Sequence, residues 1–200
     1  MLDPSEVGKN SGIPIGHRPA DHHGIMGNVE QPWLPVEAID FLYSNLNKRM
    51  TGLEFGSGSS TFWFSKFTRE IFSVESDEEW YNKNLENKNK FSIENVNLIL
   101  SACPMLRIFE IDNEVGEAYE KYSDQIFKIG RNFDYILVDG VARSLCIKKS
   151  IDFLNPGGYL IIDNSERPAY WDSMSMVPKY WESFIFSNAV DRTTIFKKPH

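Results

Sequence analysis

Small and acidic residues follow several of the short apolar runs in this 200-residue chain. Gly56–Ser60 (GSGSS) follows the run Thr51–Phe55, Glu75 ends a second run, Asp139 follows a third, and Asp163-Asn164 follows a fourth. Glycine lets a ligand approach the backbone, and carboxylates bind hydroxyls, amines or cations. Ligands of an open α/β sheet bind beyond the carboxyl ends of its strands. These residues therefore predict one shared binding site.

Regular elements must place these residues along a common edge. Strands are expected at 51–55, 71–75, 95–100, 133–138 and 159–162, with a turn over 155–158. Apolar residues at helical spacing predict helices over 36–46, 115–126 and 147–154. Ser59 or Ser60 as an N-cap favours a further helix over Thr61–Phe67, and Ser76–Glu79 resembles a capping box at the start of another.

Strands that alternate with helices predict a mostly parallel sheet covered by helices on both faces. The tail departs from this rhythm, since 181–186 and 193–197 are both strand-like and 187–192 is a plausible tight connection. This pattern favours a closing antiparallel hairpin. The expected fold class is therefore α/β, a Rossmann-like sheet of seven strands.

The first 31 residues are rich in Gly, Pro, His and Asn and lack an apolar period, which predicts an irregular arm or lid. Residues 32–200 are expected to form one domain. The arm contains His17, His22 and His23, which we interpret as exposed loop residues rather than metal ligands, because no cysteine or regular ligand spacing accompanies them.

Composition narrows the class of protein. The net charge is −7, and an acidic domain has no basic field to attract phosphate backbones, so general nucleic-acid binding is disfavoured. The apolar runs are short and broken by charges, which disfavours a membrane span, and the first residues do not resemble a signal peptide. Cys103 and Cys146 are too few for a disulfide framework. A cytoplasmic protein is expected, and its oligomeric state stays open.

The glycine-rich loop is compatible with more than one cofactor. A dinucleotide site has the pattern G-x-G-x-x-G, but Thr61 stands at the third glycine position here. Glu54, two residues before Gly56, fits a ligand that carries an amino group. Glu75, about twenty residues further on, can accept the hydroxyls of a ribose. That feature is common to adenosine-bearing cofactors and does not separate NAD from the others.

From about Trp33 to Lys198 the sequence resembles the class I S-adenosylmethionine-dependent methyltransferases. The resemblance is carried by Leu53–Thr61, Ser73–Glu75, Asp134–Gly140 and Leu154–Tyr159, and the final hairpin matches that family's sixth and seventh strands. It implies S-adenosylmethionine as the cofactor. The methionine part would contact Glu54 and the loop Gly56, Ser57 and Gly58, the ribose Glu75, and the adenine Ser101, Ala102 and Cys103. Ser59, Ser60, Ser76 and Asp139 complete the predicted cofactor set.

A finer resemblance is to the metal-dependent O-methyltransferases of the catechol type. It implies that Asp139, Asp163 and Asn164 hold Mg²⁺ or another divalent cation, which would activate a substrate hydroxyl. Asp139 and Arg143 are the candidate catalytic residues. The sequence departs from that group at Ala142, where the group has a lysine. The alternative interpretation is that the strand-end Asp and Asn residues only cap turns.

The predicted function is methyl transfer to a small-molecule acceptor, at an oxygen atom. Two alternatives stay open: an NAD-dependent oxidoreductase, and a non-catalytic cofactor-binding module of the same fold. Arg143 and Arg167 could bind a substrate carboxylate or phosphate, or form surface ion pairs instead. Trp80 is expected to pack in the core rather than to line the pocket.

Overall fold

The computed structural model describes residues 31–103, 116–189 and 191–200. Apart from its last residue, the predicted arm with its three histidines lies outside the described residues. The helices are α1 (Val36–Asn45), α2 (Ser59–Phe67), α3 (Glu78–Lys90), α4 (Glu117–Ser123), α5 (Gln125–Ile129), α6 (Arg143–Ser150) and α7 (Trp171–Met174). The strands are β1 (Thr51–Phe55), β2 (Glu70–Glu75), β3 (Val96–Leu100), β4 (Phe133–Val138), β5 (Leu154–Ile162), β6 (Glu182–Ser187) and β7 (Arg192–Lys197).

The strands form one seven-stranded sheet in the order β3-β2-β1-β4-β5-β7-β6. The pairs from β3 to β5 are parallel, whereas β7 runs antiparallel to both β5 and β6. The chain reverses its winding direction between β1 and β4, so the carboxyl ends of these two strands form a crevice. The predicted α/β fold with a C-terminal antiparallel hairpin is confirmed.

Alternate residues of each central strand face two different cores, as the pleat of a strand requires. In β4, Tyr135 and Leu137 pack with α1 and α2, while Ile136 and Val138 pack with α4, α5 and α6. All four side chains are fully buried. Helices therefore cover both faces of the sheet, and the two layers hold the strand ends in register.

The expected turn at 155–158 is wrong. These residues belong to β5, which begins at Leu154. Gly157 has a φ of +78° and donates its N–H to the carbonyl of Lys198 at 2.9 Å, while Lys198 donates to the carbonyl of Gly158 at 2.9 Å. Pairing with the C-terminal segment thus continues the strand through a Pro-Gly-Gly sequence that locally favours a turn. The preceding helix correspondingly ends at Ser150, followed by a 3-10 turn at Ile151–Phe153.

Within the three described ranges, no helix is both long and apolar enough to cross a membrane. The longest of them, α3, has 13 residues and is strongly polar, whereas a membrane-spanning helix needs about 20 mostly apolar residues.

Candidate functional site

A cavity of about 620 Å³ opens beyond the carboxyl ends of β1, β2 and β4. Eight of the predicted site residues line it: Gly56, Ser57, Gly58, Ser59, Ser60, Glu75, Ser76 and Asp139. The other predicted residues are not part of its lining: Glu54, Ser101, Ala102, Cys103, Arg143, Asp163 and Asn164. The sheet thus brings the glycine loop and two of the strand-end acids to one site.

The two glycines of the loop have different structural roles. Gly56 has a φ of +97°, and a Cβ there would lie 2.6 Å from the backbone nitrogen of Gly140. Any side chain at Gly56 would separate the ends of β1 and β4. Gly58 has an extended φ of 178°, and a Cβ added to it would meet no described atom within 4 Å. Gly56 is therefore required by the fold, whereas Gly58 leaves open space at the cavity wall.

Glu54 anchors the loop from below. Its side chain is fully buried and accepts hydrogen bonds from the hydroxyls of Ser60 and Thr61, and from that of Ser73 at 2.7 Å. Thr61 in turn accepts the backbone N–H of Gly58 at 2.9 Å. Burial raises the pKa of Glu54 from 4.5 to about 7, although the three hydroxyls oppose this shift. In this geometry Glu54 fixes the loop and is not itself on the cavity wall.

Glu75 ties the loop to the end of β2. One of its oxygens accepts the backbone N–H of Ser57 at 2.9 Å and the hydroxyl of Ser57 at 2.7 Å. The other accepts the backbone N–H groups of Ser76 at 2.7 Å and Asp77 at 2.9 Å. A carboxylate has about four acceptor positions, and these four donors occupy them. A ribose hydroxyl would bind Glu75 by replacing the hydroxyl of Ser57.

Helix α3 supplies wall residues that sequence reasoning missed. The indole of Trp80 donates to the carbonyl of Ser57 at 2.6 Å, and the side chain is 41% exposed at the cavity. The expectation that Trp80 packs in the core is wrong. Asn84, one turn further, donates to the hydroxyl of Ser57 at 2.8 Å and is the one buried residue of this helix. The sequence contains a sign of this wall, namely polar residues at helical spacing along α3. A search for apolar periodicity does not identify such residues.

The segment after β3 begins next to the cavity. Ser101 donates its backbone N–H to the carbonyl of Glu75 at 2.8 Å, and Cys103 donates to that of Ser76 at 3.3 Å. Cys103 is buried in the core, Ala102 is exposed, and residues 104–115 lie outside the described residues. Ser101 and Cys103 are therefore hydrogen-bonded to the end of β2, although none of the three predicted adenine residues lines the cavity. Both cysteines are free thiols.

At the end of β4 and β5 the acids surround Arg143, which is 8% exposed. Its Nη2 donates to the carbonyl oxygen of Asp139 at 2.6 Å and to Asp139 Oδ1 at 2.9 Å. Its Nη1 donates to the carbonyl of Asp163 at 2.8 Å and to Asn164 Oδ1 at 3.1 Å, and its Nε to the carbonyl of Gly140 at 2.9 Å. All three guanidinium nitrogens are thus used within the protein.

This arrangement does not fit a divalent cation. The guanidinium already contacts side-chain oxygens of two predicted metal ligands, Asp139 and Asn164, and the backbone carbonyl of the third, Asp163. Asp163 Oδ1 also accepts the hydroxyl of Thr193 at 2.8 Å. No group of three or more acids, His or Cys suited to a metal occurs in the described part of the chain. Arg143 provides the positive charge among the three predicted ligands, and the metal site stays a prediction.

The carboxyl groups of Asp139 and Asp163 are close enough to share a hydrogen bond. Burial and the charge of Asp139 raise the pKa of Asp163 from 3.8 to about 7, and burial also raises the pKa of Asp139. Arg143 opposes both shifts by stabilising the negative charge. Ala142, where the catechol-type enzymes have a lysine, is fully buried with a φ of +52°. The site therefore differs from that group in two ways: Arg143 supplies a positive charge beside the predicted ligands, and Ala142 stands where the group has a lysine.

The structure matches solved methyltransferases over most of its length. It superposes on SMU.1697c from Streptococcus mutans, named as a methyltransferase and solved in complex with SAH, with a TM-score of 0.63 and 18% identity, covering 82% of this chain and 97% of that one. An rRNA methylase from Streptococcus thermophilus gives a TM-score of 0.62, with 14% identity over 86% of this chain and all of that one.

A methyltransferase-like protein from Silicibacter pomeroyi gives a TM-score of 0.61, with 20% identity over 86% of this chain and 90% of that one. The fold is that of the class I methyltransferases. No family model matches the sequence, and no curated protein matches it. The cavity lies where the strand order reverses between β1 and β4, which is where ligands of open α/β sheets bind. Function must be argued from the site, since one fold supports many activities.

Proposed function

We propose that this chain is an S-adenosylmethionine-dependent methyltransferase that acts on a small-molecule acceptor, at an oxygen atom. Gly58 is the observation that carries the proposal. It lines the cavity at the end of β1, and the space that a Cβ would take is open. Backbone left bare at this point lets a ligand approach the loop closely. The binding of SAH by the Streptococcus mutans protein supports the same cofactor here.

The residues around the cavity fit the cofactor. The loop Gly56–Ser60 and the N-terminus of α2 would hold the methionine part, Glu75 and Ser76 the ribose, and Ser101–Cys103 the adenine. Glu54 would act indirectly, by fixing the loop through the hydroxyls of Ser60 and Thr61. S-adenosylmethionine supplies a methyl group that is already activated on a sulfonium.

The chain itself would then position the acceptor and remove its proton. Asp139 lines the cavity, and its side chain is about one third exposed there. The guanidinium of Arg143 orients the carboxylate through Oδ1 at 2.9 Å, and the hydrogen-bonded pair of Asp139 and Asp163 would accept the proton of an acceptor hydroxyl. Arg143 is thus a positioning residue, since a guanidinium that stays protonated cannot act as a base.

The acceptor is proposed to be small on two grounds. The cavity of about 620 Å³ would hold the cofactor as well, which leaves room only for a small acceptor. The net charge of −7 gives no broad basic surface for a nucleic acid, although two of the structural neighbours are named as rRNA methylases. The two free cysteines support a reducing, cytoplasmic setting.

Calorimetric titration with S-adenosylhomocysteine tests the cofactor, and NAD serves as the comparison. We expect the wild type to bind S-adenosylhomocysteine and not NAD. Gly58→Ala should weaken binding about tenfold, because the methyl group would project into the cavity. Its melting temperature should not change, since φ is extended and the Cβ meets no atom. Equal affinity in wild type and variant, or preferential binding of NAD, would contradict the proposal.

Methyl transfer separates an enzyme from a non-catalytic module of the same fold. The wild type and Asp139→Asn are incubated with methyl-labelled cofactor and a metabolite extract, and labelled products are separated by chromatography. We expect labelled small molecules with the wild type and at most a small fraction of them with Asp139→Asn. Cofactor binding without any labelled product would favour the non-catalytic module.

A further inference from the structure

One wall of the cavity is a helix face that is unusually polar. Helix α3 contributes residues spaced three, four or seven positions apart, which places them on one side of the helix: Trp80, Lys83, Asn84, Asn87 and Lys90, followed by Phe91. A helix face turned toward the protein interior is normally apolar. Here two contacts with Ser57, from Trp80 and Asn84, fix the helix against the glycine loop. The rest of this face is turned to the cavity.

The two lysines on this wall form no ion pair with another described residue. Lys83 Nζ lies 4.4 Å from the ring centroid of Trp80, and Lys90 Nζ lies 5.3 Å from that of Phe91. The ion pairs of the described residues use other cations. Seven residues correspond to about two helical turns, or about 10 Å, so both ammonium groups can reach one medium-sized ligand.

The acids of the cavity do not compensate these charges. The four acceptor positions of Glu75 are taken by N–H and hydroxyl groups of Ser57, Ser76 and Asp77. Asp139 is paired with Arg143. Arg143, which the sequence offered as a partner for a substrate anion, has all its nitrogens bound to protein oxygens. The positive charge available to a ligand therefore lies on α3.

We propose that the α3 wall is a subsite for an anionic acceptor, a carboxylate or phosphate carried on an aromatic or other apolar body. The anion would lie between Lys83 and Lys90, with the amide of Asn87 as a further donor. The apolar body would lie against Trp80 and Phe91, which are 41% and 36% exposed. The role of this ligand as methyl acceptor rests on the proposed function, whereas the binding of the anion does not.

Two lysines suit a small anion better than a nucleic-acid backbone. A nucleic acid is held by many phosphate contacts along an extended basic surface. This wall spans about two helical turns, and the chain as a whole carries a charge of −7. Single-stranded RNA is therefore an outcome of the test and not the proposed ligand.

The test uses phenyl phosphate and benzoate as anionic probes and benzyl alcohol as their neutral counterpart. Binding to the full chain is followed by isothermal calorimetry, with and without saturating S-adenosylhomocysteine. The variants are Lys83→Gln/Lys90→Gln and the control Lys88→Gln, a lysine of the same helix that does not line the cavity. The two anions distinguish a phosphate from a carboxylate ligand.

We expect both anions to bind the wild type more tightly than the alcohol. The double variant should bind at least one of them about tenfold more weakly, since two charge-assisted contacts are lost. The Lys88→Gln control should match the wild type, and the affinity for S-adenosylhomocysteine should not change in any variant. Weakening that also depends on salt concentration would support the charge-based contact.

Three results would overturn the proposal. The first is equal affinity of the double variant and the wild type for both anions. The second is a loss of S-adenosylhomocysteine binding in the double variant, because the lysines would then hold the cofactor carboxylate. The third is lysine-dependent binding of a short single-stranded RNA that exceeds the binding of phenyl phosphate. Failure of the wild type to bind S-adenosylhomocysteine would contradict the proposed function. The test of anion binding would still be valid, because it does not require the cofactor.

Discussion

The two sides of the cavity stabilise their carboxyl groups in different ways. At the ends of β1 and β2, Glu54 and Glu75 are held by hydroxyl and backbone N–H groups, without a cation. At the ends of β4 and β5, Asp139 and Asp163 lie beside a buried guanidinium. The first side is built from many hydrogen bonds from uncharged donors, and the second depends on one charged donor.

This difference has an energetic consequence. A hydrogen bond from an uncharged donor contributes about 1 kcal/mol to stability, and the loss of one such bond leaves the other bonds in place. A buried charge that loses its partner costs several kcal/mol. Single substitutions that remove one contact on the β1–β2 side should therefore lower the free energy of unfolding only slightly. Replacing Arg143 on the β4–β5 side should lower it strongly.

The largest expected effect is that of Arg143→Met. This substitution keeps an unbranched side chain but removes the cation that neutralises Asp139 and contacts Asn164. We expect the free energy of unfolding in urea to fall by about 3–5 kcal/mol. Arg167→Met is the control, because Arg167 is 42% exposed and lies 3.9 Å from Glu166, so its loss should cost at most about 1 kcal/mol. Similar losses in both variants would remove the distinction between the two sides.

The next effect is a pH dependence caused by Glu54. Its pKa is about 7 in the folded protein and 4.5 in the unfolded chain, so the folded state keeps a proton that the unfolded state has released. The contribution to stability is therefore full below pH 4.5 and falls as the pH rises to about 7. The shift corresponds to about 3 kcal/mol.

Glu54→Gln isolates this contribution, because the variant cannot titrate at that position. Its free energy of unfolding relative to the wild type should rise by the same amount, about 3 kcal/mol, between pH 4.5 and 7. Urea denaturation at a series of pH values measures this difference. A difference that is constant with pH would show that Glu54 does not exchange its proton in this range.

A smaller effect is expected for Trp80→Phe. The phenyl ring keeps an aromatic surface at the cavity but loses the 2.6 Å hydrogen bond from the indole to the carbonyl of Ser57. We expect a loss of about 0.5–1.5 kcal/mol in the free energy of unfolding, measured by circular dichroism. Asn84 still holds the hydroxyl of Ser57 in this variant. A loss as large as that of Arg143→Met would contradict the view that many hydrogen bonds of similar strength stabilise the β1–β2 side.

The smallest expected effect is the response to divalent cations. Because Arg143 already contacts oxygens of Asp139, Asp163 and Asn164, titration with Mg²⁺, Mn²⁺ or Ca²⁺ should give no binding heat that Asp163→Asn removes. Isothermal calorimetry of the two proteins measures this directly. Binding that depends on Asp163 would restore the metal site that the sequence suggested.

The sequence was most informative where local chemistry decides the conformation. The apolar runs marked the strands, and the glycine loop and the acids marked the strand ends that meet at the cavity. It misled at 155–158, where Pro-Gly-Gly locally favours a turn but pairs with Lys198 as part of β5. It also misled at Trp80, because the exposure of a helix face depends on which neighbour the helix meets.

The sequence pattern by itself determined three features. They are the order of strands and helices along the chain, the antiparallel arrangement of the last two strands, and the position of acids and glycines at one edge of the sheet. These follow from periodicity and from the few conformations that glycine and capping residues favour. Only the tertiary structure decided that Arg143 neutralises Asp139, that Glu54 lies beneath the loop and that α3 faces the cavity with its lysines. The physical reason is that charge pairing and burial depend on distances between residues that are far apart in sequence.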